Sequence, residues 1–194
     1  MKSVCIYCGS SPGARGVYAE AARAFGQALA QADLTLVYGG GRVGLMGIIA
    51  DAVLAAGGRA IGVIPKLLVD KEVGHHGLTE LHVVPDMHPR KKMMADLSDA
   101  FVAMPGGAGT LEEFFEVYTW AQLGYHRKPV ALLNVEGFYD PLVTMLRHTV
   151  EEGFMAGSYV ESLCIDANPE GLLDQLRRYQ PPTRDKWTPV GEAP

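Results

Sequence analysis

The chain has 194 residues, 48% of them hydrophobic, with 17 Lys and Arg against 22 Asp and Glu for a net charge of -5. Such a length fits one domain around one buried core. The acidic balance excludes a nonspecific nucleic-acid polymer partner, which calls for a basic surface, and no apolar run approaches the length of a membrane span.

Residues 1–7 carry one charge and a short β-rich run, Val4 to Tyr7, which reads as a first strand rather than a signal peptide. Three cysteines are too few and too odd for a disulfide framework, so a reducing, cytoplasmic compartment is expected. Cys5 and Cys8 form a C-x-x-C. A redox pair of that kind opens a helix, whereas Cys5 lies inside the strand, so packed and inert thiols are expected. From Val17 to Ala32, apolar residues recur at three- and four-residue spacing, as on one face of a helix. Leu34 to Tyr38 is a strand, Leu45 to Ala56 a helix closed by Gly57-Gly58, and Ala60 to Ile64 a strand stopped by Pro65.

Lys66 to Leu78 has little periodicity and is expected to be a long loop, with His75 and His76 on a solvated surface. Leu81 to Val84 is a strand, Met87 to Leu97 a helix with Pro89 in its first turn, and Ala100 to Met104 a strand. Thr110 to Leu123 is a helix, Pro129 to Leu133 a strand, Tyr139 to Glu152 a helix, Leu163 to Ile165 a strand and Pro169 to Arg178 a final helix. The expected organisation is one domain over residues 1–180 and a loose proline-rich tail over 181–194. Strands separated by helices predict a single-domain α/β fold, three-layered and Rossmann-like, with a doubly wound parallel sheet. On such sheets ligands sit beyond the carboxyl ends of the strands.

Three turns at that edge are rich in glycine or hydroxyls: Cys8-Gly9-Ser10-Ser11, Gly39-Gly40-Gly41-Arg42-Val43-Gly44 and Pro105-Gly106-Gly107-Ala108-Gly109-Thr110. Bare backbone N–H groups and the start of a following helix suit a phosphate. Neither a Walker loop nor an NAD fingerprint fits, because Gly-Lys-Ser/Thr is absent and the third strand ends in Pro65, not an acid. Neither a metal nor another cofactor is expected. Two further elements are ambiguous from the residues alone. Arg90-Lys91-Lys92 is a solvated basic turn, or Arg90 reaches an anion or the substrate sugar with its fork of donors. Glu113 stands at capping-box spacing from Thr110, or it faces a bound sugar, where a carboxylate stabilises an oxocarbenium-like centre or activates water.

Taken together, Pro105-Gly-Gly-x-Gly-Thr-x-x-Glu113 and Met87-His-x-Arg-Lys91 resemble the Lonely Guy family of cytokinin riboside 5′-monophosphate phosphoribohydrolases. Tyr7 to Ser11, Gly39 to Gly47, Trp120 to Gly124 and Lys128-Pro129 look like that family too, so the resemblance covers nearly the whole chain. It implies a homodimer that releases a free base and ribose 5-phosphate from a nucleoside monophosphate, a cytokinin riboside monophosphate or AMP. By motif position it implies Arg90 and Glu113 as the catalytic pair and Gly106, Gly107, Gly109 and Thr110 as the phosphate loop. Gly9, Ser10, Gly40, Gly41, Met87, Lys91 and Glu116 complete the expected substrate contacts. Met87, Met94 and the helix around Trp120 could wall a prenyl pocket, but core or dimer interface accounts for them equally. The alternative is a nucleotide-binding module without catalysis. A decarboxylase using pyridoxal would need a Schiff-base lysine, and none stands out.

Overall fold

The computed structural model describes residues 1–70 and 74–182. It contains one sheet of seven strands: β1 (Ser3–Tyr7), β2 (Thr35–Tyr38), β3 (Ala60–Pro65), β4 (Glu80–Val84), β5 (Ala100–Ala103), β6 (Val130–Leu133) and β7 (Cys164–Asp166). Their spatial order is β4-β3-β2-β1-β5-β6-β7, and every pairing is parallel. The helices are α1 (Gly16–Gln31), α2 (Gly44–Ala55), α3 (Lys66–Asp70), α4 (Met87–Asp96), α5 (Ala108–Gln122), α6 (Asp140–Glu151), α7 (Gly157–Glu161) and α8 (Pro169–Arg178).

The alternation along each strand distributes the core. Val4, Ile6, Leu36, Tyr38, Val102 and Met104 face α1, α2 and α8. Cys5, Tyr7, Val37, Val63, Phe101 and Ala103 face α4, α5, α6 and α7. A sheet covered on both faces needs apolar residues at successive positions, and β5 is buried throughout for that reason. Cys5 and Cys8 therefore belong to opposite layers, both buried and free. Burial pushes the Cys5 thiol up to about 12 and raises the Cys8 thiol as well, so the C-x-x-C is packed and unreactive.

The segment after β3 differs from the expected loop. Residues 66–70 form α3, and 71–73 lie outside the described residues. Gly74 then forms a β-bridge with Gly41, and the His75 N–H donates to the Gly40 carbonyl at 2.9 Å. The His75 ring lies 2.9 Å from Asp51 on α2, and its Nδ1 accepts from the Gly77 N–H at 3.1 Å. His75 is thus a tether of this segment to α2, while His76 is exposed. Hydrophobic periodicity carries no trace of a segment held by backbone and ring hydrogen bonds. Of the expected tail, residues 183–194 lie outside the described residues.

Candidate active site

The strand order sets the place of the site. Chain progression runs from β1 outward through β4 and then returns to β5 on the other side of β1. A crevice opens at such a reversal, beyond the carboxyl ends of the two central strands. Here the Met104 N–H donates to the Tyr7 carbonyl at 2.8 Å and the Gly9 N–H to the Pro105 carbonyl at 3.1 Å, which stitches the β1 and β5 loops side by side. The cleft above them is about 300 Å³ and is lined by residues 8–10, Met46, Met87, Arg90 and residues 107–113 apart from Leu111.

Helix α5 starts at this crevice. Its N-cap is Gly107, with no side chain capping it. The first N–H groups of a helix lack partners inside it, and the helix dipole adds a partial positive charge there. Gly107, Ala108 and Gly109 are exposed, so their backbone is open to the cleft. Thr110 is buried beneath it, and a Cβ at Gly106 would run into the Thr110 hydroxyl and its Cβ. Gly106 is therefore bare because the loop folds back on the helix it precedes.

Because the helix begins at Ala108, Thr110 is its third residue and not its cap. The capping-box reading of Glu113 is excluded on that geometry: Glu113 lies in the second turn and its carboxylate points elsewhere. Its Oε1 accepts from Nη1 of Arg90 at 2.8 Å, and both side chains are only 10% exposed.

Arg90 comes from α4, which starts at Met87 because Asp86 caps it, accepting from the His88 N–H at 3.0 Å. Nε of Arg90 donates to the Val63 carbonyl within β3, 3.1 Å away. Nη2 lies over Gly39 and has no hydrogen-bond partner among the described residues. The rest of the basic run divides. Lys91 is buried and bridges Glu112 and Glu116 at 2.5 and 3.0 Å, whereas Lys92 pairs on the surface with Asp96 at 2.7 Å. Helical spacing thus gives α4 and α5 two adjacent ion rungs, Arg90 with Glu113 and Lys91 with Glu112 and Glu116. A solvated basic turn describes Lys92 alone.

Burial raises the Glu113 carboxyl above the usual carboxylate range, the Arg90 guanidinium opposes that rise, and the Glu112 charge reinforces it. Burial lowers Lys91, but its bonds to Glu112 and Glu116 outweigh that and hold the ammonium above its ordinary value. A lysine in that state is a fixed cation, not a free amine.

Of the residues expected at the site, Gly9, Ser10, Met87, Arg90, Gly107, Gly109, Thr110 and Glu113 line the one cleft. Gly106 supports the loop from behind, and Lys91 and Glu116 stand beside the catalytic candidates as a tie between helices. Gly40 and Gly41 do not reach the cleft. Gly40, at φ +72, packs against Ile64 and Leu81, and the Gly41 carbonyl accepts from the Tyr38 hydroxyl. Met94 is core, and Trp120 lines a different surface depression with Phe101 and Tyr125. Sequence reasoning missed Met46 and Glu112 in the lining and the Val63 carbonyl under Arg90. Met46 sits in the first turn after a glycine-rich loop, which is a usable signal; a backbone carbonyl leaves none.

Fold and site together define a Rossmann-like α/β protein with an open helix N-terminus and a buried Arg–Glu pair at its topological switch point. A family model described as "Possible lysine decarboxylase" matches residues 46–176. A cytokinin riboside 5′-monophosphate phosphoribohydrolase of Rhodococcoides fascians is 49% identical over 177 residues, 91% of this chain and 89% of that protein. The Arabidopsis thaliana cytokinin riboside 5′-monophosphate phosphoribohydrolase LOG7 is 48% identical over 180 residues, 93% of this chain and 83% of its own. The chain belongs to the Lonely Guy family. Among solved structures, the molybdenum cofactor binding protein of Rippkaea orientalis superposes with a TM-score of 0.70 at 21% identity, covering 92% of this chain and 97% of that one. The molybdenum cofactor carrier protein of Chlamydomonas reinhardtii does so with 0.67 at 19% identity, covering 91% and 96%. These two likenesses establish the fold alone.

Proposed function

We propose that this protein hydrolyses the N-glycosidic bond of a nucleoside 5′-monophosphate, a cytokinin riboside monophosphate or AMP, to free base and ribose 5-phosphate. The observation that carries the reading is the Arg90–Glu113 pair, 10% exposed on both sides, at the wall of a cleft whose floor is an uncapped helix start. The phosphate seats on the N–H groups of Gly107, Ala108, Gly109 and Thr110. This remote grip orients the sugar, so binding energy is used to place C1′ beside Glu113.

In the reaction the C1′–N bond breaks and its electron pair leaves with the base. Positive charge builds on the ribose, and the Glu113 carboxylate stabilises it. Water adds its oxygen to C1′; one of its protons is released and the departing base gains one, so the products are neutral base and ribose 5-phosphate. The Arg90 guanidinium opposes the rise that burial imposes on the Glu113 carboxyl and so favours its charged form, while Nη2 is left for the ligand. A pure binding module has no use for a buried carboxylate beside an anion loop, since it repels the ligand. The two lysines nearest the Arg90–Glu113 pair do not support the decarboxylase description in the family model: Lys91 is committed to two carboxylates and Lys92 to Asp96.

The same proposal includes one catalytic domain over residues 1–180, a homodimer and a cytoplasmic setting, supported by the resemblance and by three buried free thiols. No described helix is long and apolar enough to cross a membrane. The test is chromatographic: purified protein incubated with AMP, CMP and isopentenyladenosine monophosphate releases base from at least one purine nucleotide. Tight nucleotide binding with no base released from any of them would refute it, and light scattering reads the dimer separately.

A further inference from the structure

We propose that Gly39 is a positioning residue for Arg90: the bare backbone just past β2 is the seat that aims the guanidinium at Glu113 and at the ligand. This rests on the reading of Arg90 and Glu113 as the catalytic pair. The first glycine of a Gly-Gly-Gly turn would ordinarily be assigned either to a tight bend or to an anion. Neither applies at position 39. Gly40 and Gly44 have positive φ, but Gly39 does not, so its backbone tolerates any residue. Gly39 is also buried and absent from the cleft lining.

What forbids a side chain there is Arg90. A Cβ at 39 would collide with Nη2, lie 3.1 Å from Cζ and 3.3 Å from Sδ of Met46. Register explains the coincidence. Tyr38 pairs with Gly62, so Gly39 and Val63 are the next step along neighbouring strands. The guanidinium spans that step, with Nε on the Val63 carbonyl at 3.1 Å, Nη2 over Gly39 and Nη1 on Glu113 at 2.8 Å. Three points fix a planar group in both place and tilt, which two hydrogen bonds alone leave free to hinge.

The obstructing atoms are the far end of a flexible side chain, not backbone. A methyl group at 39 therefore displaces Arg90 and leaves the chain path unchanged. Misplacement of a reacting group by about 1 Å costs on the order of 100-fold in rate. Glu113 also loses the cation that opposes its burial, so its carboxyl takes up a proton more readily.

The experiment is a double-mutant cycle on the full chain, Gly39→Ala with and without Arg90→Ala, with Arg90→Gln as the background should Arg90→Ala fail to fold. Gly39→Ala alone is expected to lose about 100-fold in kcat with KM changed by less than about threefold. The acidic limb of its kcat/KM profile moves to higher pH. In the Arg90→Ala background the same methyl enters vacated space and lowers Tm no further. Parental kcat in Gly39→Ala, an unmoved acidic limb, or equal Tm losses in both backgrounds would overturn the proposal. The Tm cycle is independent of turnover, so a parent protein that releases no base refutes the reaction while the seat is still decided by melting.

Discussion

The loop after β2 and the loop after β5 look alike in sequence, each a glycine run between a strand and a helix, and the fold uses them in opposite ways. In Gly39-Gly40-Gly41 the glycines are buried against Arg90, Ile64 and the Gly74 bridge, so their small size serves packing. In Gly106 to Gly109 only Gly106 is packed; a Cβ at Gly107 or Gly109 would meet nothing within 4 Å. Those two positions are bare toward open space, where glycine contributes nothing to packing. The lesson is that a glycine run shows where backbone comes close to something, and only the surroundings tell whether that something is the protein or a ligand.

The largest effect should come from the pair that lies between the two loops. Glu113→Gln removes the charge and keeps the shape, so base release is expected to fall by roughly 10³-fold while AMP affinity by calorimetry stays within about threefold. An active Glu113→Gln protein would break the link between the loops and the chemistry. Next, Gly107→Asp places an anion at the N-cap. It should stabilise α5 by a few tenths of a kcal/mol and weaken AMP binding by about tenfold or more, a gain in Tm joined to a loss of affinity. A loop meant for packing would show the reverse pairing.

Gly40→Ala supplies that reverse. Its φ of +72 is strained for alanine, at a cost of roughly 1–2 kcal/mol, which lowers Tm by several degrees without changing AMP affinity. The pH profile sharpens the comparison further. The Glu113 carboxyl is raised in the folded protein, so activity falls with acid at a pH above the ordinary carboxylate range. For stability the sign is opposite: the folded state holds this proton more tightly than the unfolded chain. That contribution is full below the unfolded value and lost as pH rises through the raised one. The smallest effect is expected for Lys92→Ala, whose exposed pair with Asp96 should change Tm and kcat hardly at all.

The sheet, its order of elements and the cleft edge were legible because apolar periodicity and glycine punctuation report them directly. Arg90 and Glu113 were legible only through the family resemblance. On local grounds Glu113 fitted a cap to Thr110, and only the actual helix start at Ala108 removes that option. The splitting of Arg90-Lys91-Lys92 into two buried rungs and one surface pair was illegible, since burial depends on which face of α4 meets α5. The tether through His75 was illegible for a related reason: its partners, Asp51 and the Gly40 carbonyl, lie far off in the chain.

The three sulfhydryls have a use of their own. Cys5, Cys8 and Cys164 are all buried, Cys5 on one face of the sheet and Cys8 and Cys164 on the other. Cys8 borders the cleft, whereas Cys5 is fully enclosed, so a water-soluble thiol reagent should meet Cys5 only when the interior parts. The rate at which Cys5 is modified gives an intrinsic clock for whole-molecule opening, with no label added and no nucleotide present.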